Sequence, residues 1–332
     1  MSAAAPRPGP LRLGVLGCSA IARRRTLPAI AEIPELTTTA VASRDPAKAA
    51  EFAARFGGTP TGYAELVEDP GVDAIYLSLP TALHHEWAAR ALRAGKHVLC
   101  EKPLTDRGER TGELTGLARE RGLVLRENFA FLHHPQHAVV ADLLAGGRLG
   151  EPRTFTATFG IPPLPASDIR YSPELGGGAL LDVGVYPIRA AQLLLGAGLE
   201  VVGAALRIDR ERGVDLAGHA LLVSPGGVFA DLEFGFQHTY RSRYGVWGSA
   251  AALALDRAFT PPVEHRPLLR IDEQDHAEER VLAPAHQFRE SLAAFARTAL
   301  DRDPGESAWL DAAEETARLV DAVRERAVRA PV

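Results

Sequence analysis

The sequence predicts an α/β protein in which a domain with a parallel sheet is followed by an α+β domain with a large open, mainly antiparallel sheet. Two observations support this fold class. Early in the chain, short apolar strands alternate with helical stretches, which is the pattern of parallel βαβ units. After Asn128, longer strand-like stretches follow one another with Gly, Asp and Pro between them, which favours antiparallel pairing. We place the domain boundary between residues 126 and 127.

The first domain, residues 1–126, has the pattern of a Rossmann-type fold. Strands separated by helices of this length imply right-handed crossovers between parallel strands. Pro46 suits the first turn of a helix, and Gly57 suits its end. We predict strands at 11–16, 37–42, 72–79, 97–100 and 123–126, and helices at 20–32, 46–56, 83–94 and 107–121.

The second domain, residues 127–332, is predicted to hold the longer strands and to bind substrate. After a helix at 137–145, strands are predicted at 153–159, 200–207, 217–223, 228–236 and 241–248. A glycine run, Gly176–Gly178, precedes a helix that reaches residue 195. Two helices are predicted to end the chain, because apolar residues recur there at helical spacing. Their stripes are Phe288, Leu292, Phe295 and Ala299, then Trp309, Ala313, Thr316 and Val320.

Composition excludes several classes of function. The 332 residues are 46% apolar and 24% charged, with a net charge of −5, which is ordinary for a soluble globular protein and argues against nucleic acid as the main partner. No apolar run was expected to reach membrane-spanning length. The first ten residues lack the apolar core of a secretion signal, so we expect a frayed tail. Two cysteines, Cys18 and Cys100, are then expected to be reduced in a cytoplasmic protein.

The segment after the first strand is a variant of the dinucleotide-binding fingerprint. Gly17 permits a tight turn, Ala22 is small enough for close packing of helix on strand, and the helix N-terminus offers backbone donors to a pyrophosphate. Ser19 replaces the middle glycine of the fingerprint. We predict that this loop binds the cofactor through Gly17, Cys18, Ser19, Ala20, Ile21 and Ala22.

The end of the second strand predicts the type of nicotinamide cofactor. An enzyme that uses NAD tends to have an acidic residue there, whereas this chain has Ser43 and Arg44. A hydroxyl and a guanidinium suit a 2′-phosphate, and Lys48 could add a charge, so we predict NADP(H). The alternative is that Arg44 pairs with Asp45 or Glu51 at the surface.

Further cofactor contacts are expected along the same edge of the sheet. Leu79 and His84 follow the third strand, where the cofactor would cross, and Tyr63 is a weaker neighbour; a purely structural role for His84 is equally open. The arginines of the first helix could face a diphosphate or form a solvated face. Of these we assign Arg24 to the cofactor and Arg25 to the substrate.

The most informative tripeptide is Glu101-Lys102-Pro103, at the end of the apolar run 98–100. It places an ammonium at the carboxyl edge of a buried parallel strand, where open α/β sheets bind ligands. The chain has three lysines among its 37 lysine and arginine residues, so a lysine here is not a matter of composition. Lysine can give up its proton and arginine cannot, so Lys102 is a candidate for proton transfer.

These residues together resemble the Gfo/Idh/MocA family of nicotinamide-dependent oxidoreductases, over nearly the whole chain. The features that carry the resemblance are Gly17–Ala22, Leu79-Pro80 with His84, Glu101-Lys102-Pro103, and Gly176–Gly178 followed by Asp182, Gly184, Tyr186 and Pro187. Within the family, the chain looks most like the dTDP-sugar 3-ketoreductases of antibiotic deoxysugar pathways. The resemblance implies NADPH-dependent reduction of a dTDP-linked ketosugar and self-association through the open sheet as a homodimer or homotetramer.

The resemblance also implies the catalytic groups. Many family members have histidine where this chain has Tyr186, although several relatives that act on sugar ketones use tyrosine. A nearby ammonium favours the ionised form of a phenol, so Tyr186 and Lys102 could together bind the carbonyl oxygen and supply its proton. Which of the two donates the proton stays open.

Supporting residues follow from the same resemblance. Asp182 is expected to hold Lys102 or the substrate, and to contact the cofactor. Glu101 and Arg170 are expected on the nicotinamide side, with a plain surface charge as the alternative for Arg170. The residues expected to bind substrate are Arg25, Lys102, Tyr186, Tyr240 and Thr260.

Other kinds of site have weak support. His133, His134 and His137 form a cluster, but Pro135 interrupts a helix that could align them, so no metal site is predicted. Two alternative functions remain open: an oxidative dehydrogenase of a free sugar or inositol, and a non-catalytic NADP-sensing regulator.

Overall fold

The structure is a computed structural model that describes residues 9–301 and 306–332, so most of the predicted N-terminal tail lies outside the described residues. The chain divides into two compact units. Unit 1 comprises Met1–Thr105, Glu109–Ala130 and Phe288–Ala313. Unit 2 comprises Asp106–Gly108, Phe131–Gln287 and Glu314–Val332. The main division thus falls between residues 130 and 131, and a late segment of the chain joins the first unit.

Unit 1 contains a six-stranded sheet in which every pair is parallel, as predicted. Its spatial order is β3-β2-β1-β4-β5-β6, so the chain winds outward in one direction from β1 and then in the other from β4. The crevice at that reversal is where such sheets bind dinucleotides. The strands are β1 (Leu11–Leu16), β2 (Leu36–Ala42), β3 (Thr59–Thr61), β4 (Ala74–Leu77), β5 (His97–Cys100) and β6 (Leu125–Glu127).

Helices connect these strands. The first begins with a π-helical segment, Ala22–Thr26, and continues as α1 (Leu27–Ile30). Asp45 caps the next helix by accepting bonds from the backbone N–H groups of Ala47 and Lys48, and Pro46 occupies its first turn. The helices are α2 (Pro46–Phe56), α3 (Tyr63–Glu68), α4 (His84–Arg93) and α5 (Gly108–Arg121).

The core of unit 1 lies on both faces of the sheet, because side chains alternate along each strand. Leu13, Val15, Tyr76 and Leu99 belong to one buried cluster. Leu16, Ile75, Leu77 and Val98 belong to the other. The alternation fixes Tyr76 on the first face, with its side chain fully buried.

Unit 2 is built on a nine-stranded sheet of order β14-β13-β12-β11-β7-β10-β9-β8-β15. Six of its pairs are antiparallel, but β7–β10 and β8–β15 are parallel. The predicted mainly antiparallel sheet is confirmed, and the two parallel pairs are the exceptions within it. The strands are β7 (Pro152–Gly160), β8 (Glu200–Ile208), β9 (Asp215–Val223), β10 (Phe229–Gly235), β11 (Arg241–Gly248), β12 (Ala252–Asp256), β13 (Leu268–Asp272), β14 (Ala277–Val281) and β15 (Ala327–Pro331).

Two helices belong to unit 2 before the last segment of the chain, α6 (Gln136–Ala145) and α7 (Val185–Leu195). A π-helical segment, Leu180–Gly184, leads into α7, and both pack on β7 and β10. The stretch Pro173–Leu195 is long and apolar enough to cross a membrane, with hydropathy 1.2, contrary to the expectation that no run would be. However, 67% of the apolar part of this stretch is buried, and α7 packs on the sheet as a core helix does.

The last part of the chain forms α8 (Gln287–Asp301) and α9 (Glu306–Arg326). The predicted stripes are largely buried, with Leu292 and Phe295 in the core of unit 1. We expected the chain to end in a helix. It ends instead in β15, which pairs with β8 at the edge of the sheet of unit 2. Sequence patterns also missed β3 and β12–β14, whose strands of three to five residues are short.

Candidate functional site

The turn after β1 requires glycine at residue 17. Gly17 has φ +107, and a Cβ atom there would lie 2.3 Å from the carbonyl oxygen of Ser78 and 2.8 Å from Leu79 Cδ2. The turn therefore passes directly against the end of β4, which keeps the first helix close to the carboxyl edge of the sheet. This close approach is what a pyrophosphate site at the helix N-terminus requires.

Ser19, which replaces the middle glycine of the fingerprint, has a structural task in this turn. Its hydroxyl accepts a hydrogen bond of 3.1 Å from the backbone N–H of Ala22 and so caps the first helix. The hydroxyl also forms a short hydrogen bond with the hydroxyl of Ser78, at the end of β4. The serine thus fixes the loop that the fingerprint usually builds with glycine.

The other fingerprint residues differ in exposure. Cys18 and Ala22 are buried, Ile21 is half-buried and Ala20 is exposed. Burial raises the pKa of the Cys18 thiol, so this group stays neutral. On the helix that follows, Arg23 pairs with Glu51 at 2.7 Å, while Arg24 and Arg25 are exposed.

Arg44 is exposed at the end of β2, and its expected surface partners are engaged elsewhere. The Asp45 carboxylate caps α2, and Glu51 pairs with Arg23. Arg44 instead contacts Tyr63, whose pKa is raised by burial and lowered in part by the hydrogen bonds from Arg44. Ser43 accepts a bond from the backbone N–H of Asp45, and Lys48 is exposed on α2. Among residues 9–301 and 306–332, no carboxylate forms an ion pair with Arg44, and a guanidinium of this kind suits a 2′-phosphate better than a ribose hydroxyl.

His84 holds two loops together. The ring is 1% exposed, and its nitrogens lie 2.8 Å from the carbonyl oxygens of Leu79 and Pro103. Burial lowers the pKa of this histidine. Both ring nitrogens therefore lie against the loops after β4 and β5, which supports a structural role for His84, and its contact with the cofactor stays a prediction.

Glu101 and Lys102 are half-buried at the end of β5, at the same edge of the sheet as the fingerprint turn. The Glu101 Oε1 atom accepts hydrogen bonds from the Tyr76 hydroxyl at 2.7 Å and from Asn128 Nδ2 at 2.8 Å. Burial nevertheless raises the pKa of Glu101. The residues predicted for the cofactor in unit 1 thus share one edge, with His84 behind it.

Tyr186 lies in the first turn of α7, half-buried in unit 2. Three phenylalanine rings surround it: the ring centroids of Phe159, Phe131 and Phe259 lie 5.0, 5.7 and 5.7 Å from that of Tyr186. Edge-on and tilted aromatic contacts of this kind fix the plane of a phenol without a hydrogen bond to its ring. These three rings therefore contribute to the orientation of the Tyr186 side chain.

Asp182 and Arg170 form a pair within unit 2. Arg170 Nε donates to Asp182 Oδ2 at 2.6 Å, and Arg170 Nη1 donates to Asp168 Oδ1 at 3.2 Å. The two carboxylates raise the pKa of Arg170, chiefly through the charge on Asp182, so this guanidinium is permanently charged. Asp182 thus binds Arg170, and its contact with Lys102 or the substrate stays a prediction. The alternative for Arg170, a plain surface charge, does not describe an arginine with two partners.

The glycine run before α7 serves close packing. Gly178 has φ +114, and a Cβ atom there would lie 2.3 Å from Asp215 Oδ1. Asp215 Oδ2 accepts a bond of 2.6 Å from the backbone N–H of Leu180 and so caps the helical segment that carries Asp182. The run thus sets the position of Asp182 and Tyr186 at the helix start.

The remaining candidates also lie in unit 2. The hydroxyls of Tyr240 and Thr260 are 2.8 Å apart, so these two predicted substrate residues are neighbours. His137 is buried and its Nδ1 lies 2.8 Å from the Tyr244 hydroxyl. Within residues 9–301 and 306–332, no three His, Cys, Asp or Glu side chains are grouped to hold a metal ion.

Sequence reasoning missed the residues that support the site. Asn128 follows β6 just as Glu101 follows β5, so the rule that neighbouring parallel strands end at one edge could have found it. Tyr76 was visible as the one polar side chain in the four-residue strand β4. Nothing in the sequence identified Phe131, Phe159 and Phe259 as neighbours of Tyr186, because they come from distant segments.

Two family models match the chain. Residues 11–129 match the oxidoreductase family with an NAD-binding Rossmann fold, and residues 137–254 match the GFO/IDH/MocA C-terminal domain.

Individual relatives of the chain are consistent with these family models. The chain is 54% identical to a dTDP-3,4-didehydro-2,6-dideoxy-alpha-D-glucose 3-reductase from Actinomadura kijaniata, over 95% of each chain. It is 32% identical to an NADP(+) D-xylose 1-dehydrogenase from Haloferax volcanii, over 96% of this chain and 97% of the relative. A crystal structure of a 3-ketoreductase from Actinomadura kijaniata with NADP and TDP-benzene superposes with a TM-score of 0.94 and 51% identity, over 97% of this chain and 99% of that one.

Proposed function

The chain belongs to the Gfo/Idh/MocA family of oxidoreductases, and from that premise we propose that it is an NADPH-dependent ketoreductase. Its substrate is a dTDP-linked deoxysugar with a keto group at carbon 3, in deoxysugar and antibiotic biosynthesis. The observation that carries the proposal is 54% identity to a 3-reductase of this kind over 95% of both chains. The structural match to a ketoreductase that holds NADP and TDP-benzene supports the same cofactor and nucleotide.

The residues of unit 1 fit NADP. Gly17 brings the first helix against the end of β4, so its N-terminal N–H groups can bind a pyrophosphate. At the end of β2, Ser43 and the exposed Arg44 provide a hydroxyl and a guanidinium for the 2′-phosphate, with Lys48 on the next helix. Arg24 adds positive charge near the diphosphate. When bound, NADPH supplies the hydride that converts the carbonyl carbon to a carbinol.

The proton comes from this chain. Lys102 and Tyr186 hydrogen-bond the carbonyl oxygen and stabilise the negative charge that grows on it as the hydride arrives. One of them donates a proton to that oxygen and recovers it from solvent, so that a ketone, a hydride and a proton give an alcohol. Asp182, through its bond to Arg170, keeps the start of α7 charged and ordered around Tyr186. Arg25, Tyr240 and Thr260 bind the nucleotide sugar.

The test is consumption of NADPH by the purified protein with a dTDP-3,4-diketo-2,6-dideoxyglucose generated in place. We expect NADPH absorbance to fall in step with formation of one dTDP-sugar alcohol, with NADH much less effective. Oxidation of D-xylose or inositol with NADP⁺, without turnover of the ketosugar, would instead identify a free-sugar dehydrogenase. Tight binding of NADPH without turnover of any ketosugar would identify a cofactor-sensing regulator.

Self-association through the sheet of unit 2 is part of the proposal. Trp247 is 67% exposed and Phe229 is 50% exposed, and both pair with Thr154 in the strand register, so they share one face of the sheet. An apolar face of this kind is a common dimer surface. Light scattering should give a dimer or tetramer that Trp247→Glu dissociates; a monomeric wild type would contradict this.

We also propose that the protein works in the cytoplasm. Cys18 and Cys100 are both buried free thiols, which suits a reducing compartment. Fractionation of the producing cells should recover the protein with the soluble cytoplasmic enzymes; recovery from the culture medium would contradict this.

A further inference from the structure

A tyrosine in the middle of the parallel sheet of unit 1 needs a reason. Tyr76 lies in β4, between β1 and β5, and is 0% exposed. Central strands of such sheets are filled by aliphatic side chains, and a buried hydroxyl is costly unless it is hydrogen-bonded. The hydrogen bonds of the Tyr76 hydroxyl must therefore account for a tyrosine at this position.

The Tyr76 hydroxyl connects the first helix to the end of β5. It donates to Glu101 Oε1 at 2.7 Å. Since its own hydrogen is used in that bond, the 2.9 Å contact with Thr26 Oγ1 is one in which Thr26 donates to Tyr76. Hydrogen bonds that run in one direction and end on a carboxylate polarise one another and are strengthened.

A second arm reaches the same oxygen from the other side. Asn128 Nδ2 donates to Glu101 Oε1 at 2.8 Å, and Asn128 Oδ1 accepts a bond of 2.9 Å from the hydroxyl of Ser291, on α8. Ser291 is 4% exposed and Asn128 is 4% exposed. The Glu101 carboxylate is thus clamped between two donors, each of which is fixed by a further hydroxyl.

The clamp decides the charge of this carboxyl. Burial raises the pKa of Glu101, while the bonds from Tyr76 and Asn128 and the positive charge of Lys102 lower it. Another titratable neighbour is Cys100, whose thiol pKa is raised well above its usual value by burial first and then by the charges of Glu101 and Glu127. Loss of either donor would therefore move the Glu101 carboxyl further toward its neutral form.

We infer that Tyr76 is a positioning residue for the proposed reduction: its hydroxyl orients the Glu101 carboxylate and keeps it ionised next to Lys102 in the chain. Asn128 and Ser291 complete the same clamp. This inference rests on the proposed function, since the reaction supplies one of its readouts. It assigns the buried network to the chemistry of the Glu-Lys-Pro segment and not only to the stability of the sheet.

The test compares Tyr76→Phe with Tyr244→Phe. Tyr244 is the control because it is also 0% exposed and because its substitution likewise removes a buried hydroxyl contact, the 2.8 Å one with His137. Tyr76→Phe should lower kcat roughly 10-fold, the scale of a lost hydrogen bond to a charged group, and should shift the acid limb of the kcat profile to higher pH. Tyr244→Phe should leave both the acid limb and kcat close to those of the wild type.

A second readout does not need turnover. In ¹³C NMR of protein labelled at the glutamate carboxyls, the Glu101 signal is identified by its absence in Glu101→Gln. Tyr76→Phe should raise the pH at which that signal titrates, and Ser291→Ala should raise it by less, since it weakens only the outer bond of one arm. Ser291→Ala also serves if Tyr76→Phe does not fold.

The outcomes are distinct. An unchanged Glu101 titration in both variants, or equal shifts of the acid limb in Tyr76→Phe and Tyr244→Phe, overturns the inference. If the wild type reduces no ketosugar, the proposed function fails, while the carboxyl titration still decides whether Tyr76 controls Glu101.

Discussion

The contacts seen around the candidate site residues differ between the two units. In unit 1, the end of β5 is held by polar groups: Tyr76 and Asn128 both donate to Glu101 Oε1. In unit 2, Tyr186 is held by the rings of Phe131 and Phe159 and by a third phenylalanine. A carboxylate inside a protein needs donors, because an ion without them is expelled or neutralised. A phenol can be fixed by packing alone.

Polar contacts in unit 1 and ring contacts in unit 2 predict different effects of mutation. Removal of a donor in unit 1 should change the charge of a group and hence the pH dependence of the reaction. Loss of a ring in unit 2 should change the geometry of a group and hence the rate at every pH.

Lys102→Ala should lower kcat by roughly 100-fold or more, the scale of lost general acid catalysis, while NADPH still binds. Steady-state turnover measures kcat, and a fluorescence titration measures the binding of NADPH. Lys102→Arg restores the positive charge but not an exchangeable proton, so it separates the two tasks of the lysine. Recovery of full turnover in Lys102→Arg would show that charge alone is needed.

Arg44→Ala should raise KM for NADPH by roughly 10- to 100-fold and leave KM for NADH nearly unchanged, because a charge-assisted bond to the 2′-phosphate is lost. The measurement is the ratio of kcat/KM for the two cofactors. Arg55→Ala is the control, since Arg55 lies at the far end of α2, the helix that follows Arg44, and its guanidinium packs 5.0 Å from the centre of the Phe56 ring. An equal loss with both cofactors would contradict the assignment of Arg44.

Acid should destabilise unit 2 through its buried histidines. Burial lowers the pKa of His137 from 6.5 to about 3 and that of His134 to about 4. Below pH 6.5 the unfolded chain therefore binds more protons than the folded one, so stability is complete above that value and falls as the pH drops toward the folded pKa. At pH 5, His137 alone should cost about 2 kcal/mol.

Urea unfolding between pH 8 and 5 measures this dependence. His137→Gln should flatten the slope, because it removes the buried histidine whose pKa is lowered to about 3. An unchanged slope in His137→Gln would contradict a buried, neutral His137.

Phe259→Leu should lower kcat by roughly 3- to 10-fold at all pH values, because one of the three rings that orient Tyr186 is lost. The control is Phe295→Leu in the core of unit 1, where a ring of the same 0% exposure is removed far along the chain from Tyr186. Melting temperatures monitor the common loss of packing. A pH-dependent effect of Phe259→Leu, or an equal loss in Phe295→Leu, would go against the proposed contrast between the units.

Much of the fold followed from the sequence because its signals are local. Apolar strands and the helices between them predicted the parallel sheet, and the fingerprint loop located its binding edge, with Gly17 set against Ser78 as that role requires. The parallel pairs β7–β10 and β8–β15 could not be predicted. They join strands far apart in the sequence, and no local pattern encodes which distant strands become neighbours.

The site divides in the same way. The sequence pattern alone predicted that residues such as Lys102 and Arg44 lie at strand ends. The partners of site residues were not predicted in this way: the bond between Asp182 and Arg170 joins residues 12 positions apart, and no local pattern predicted it. Ser291 supports Asn128 from 163 residues away, which only the packing of α8 into unit 1 explains.

The central claim is that Lys102 and Tyr186 act on one oxygen of the substrate, and a double-mutant cycle tests it most directly. Turnover of the dTDP-ketosugar is measured for Lys102→Ala, Tyr186→Phe and the double variant under single-turnover conditions. If the two groups act as one unit, the double variant should be little slower than the slower single variant. If the two losses multiply, the groups act independently and the claim is wrong.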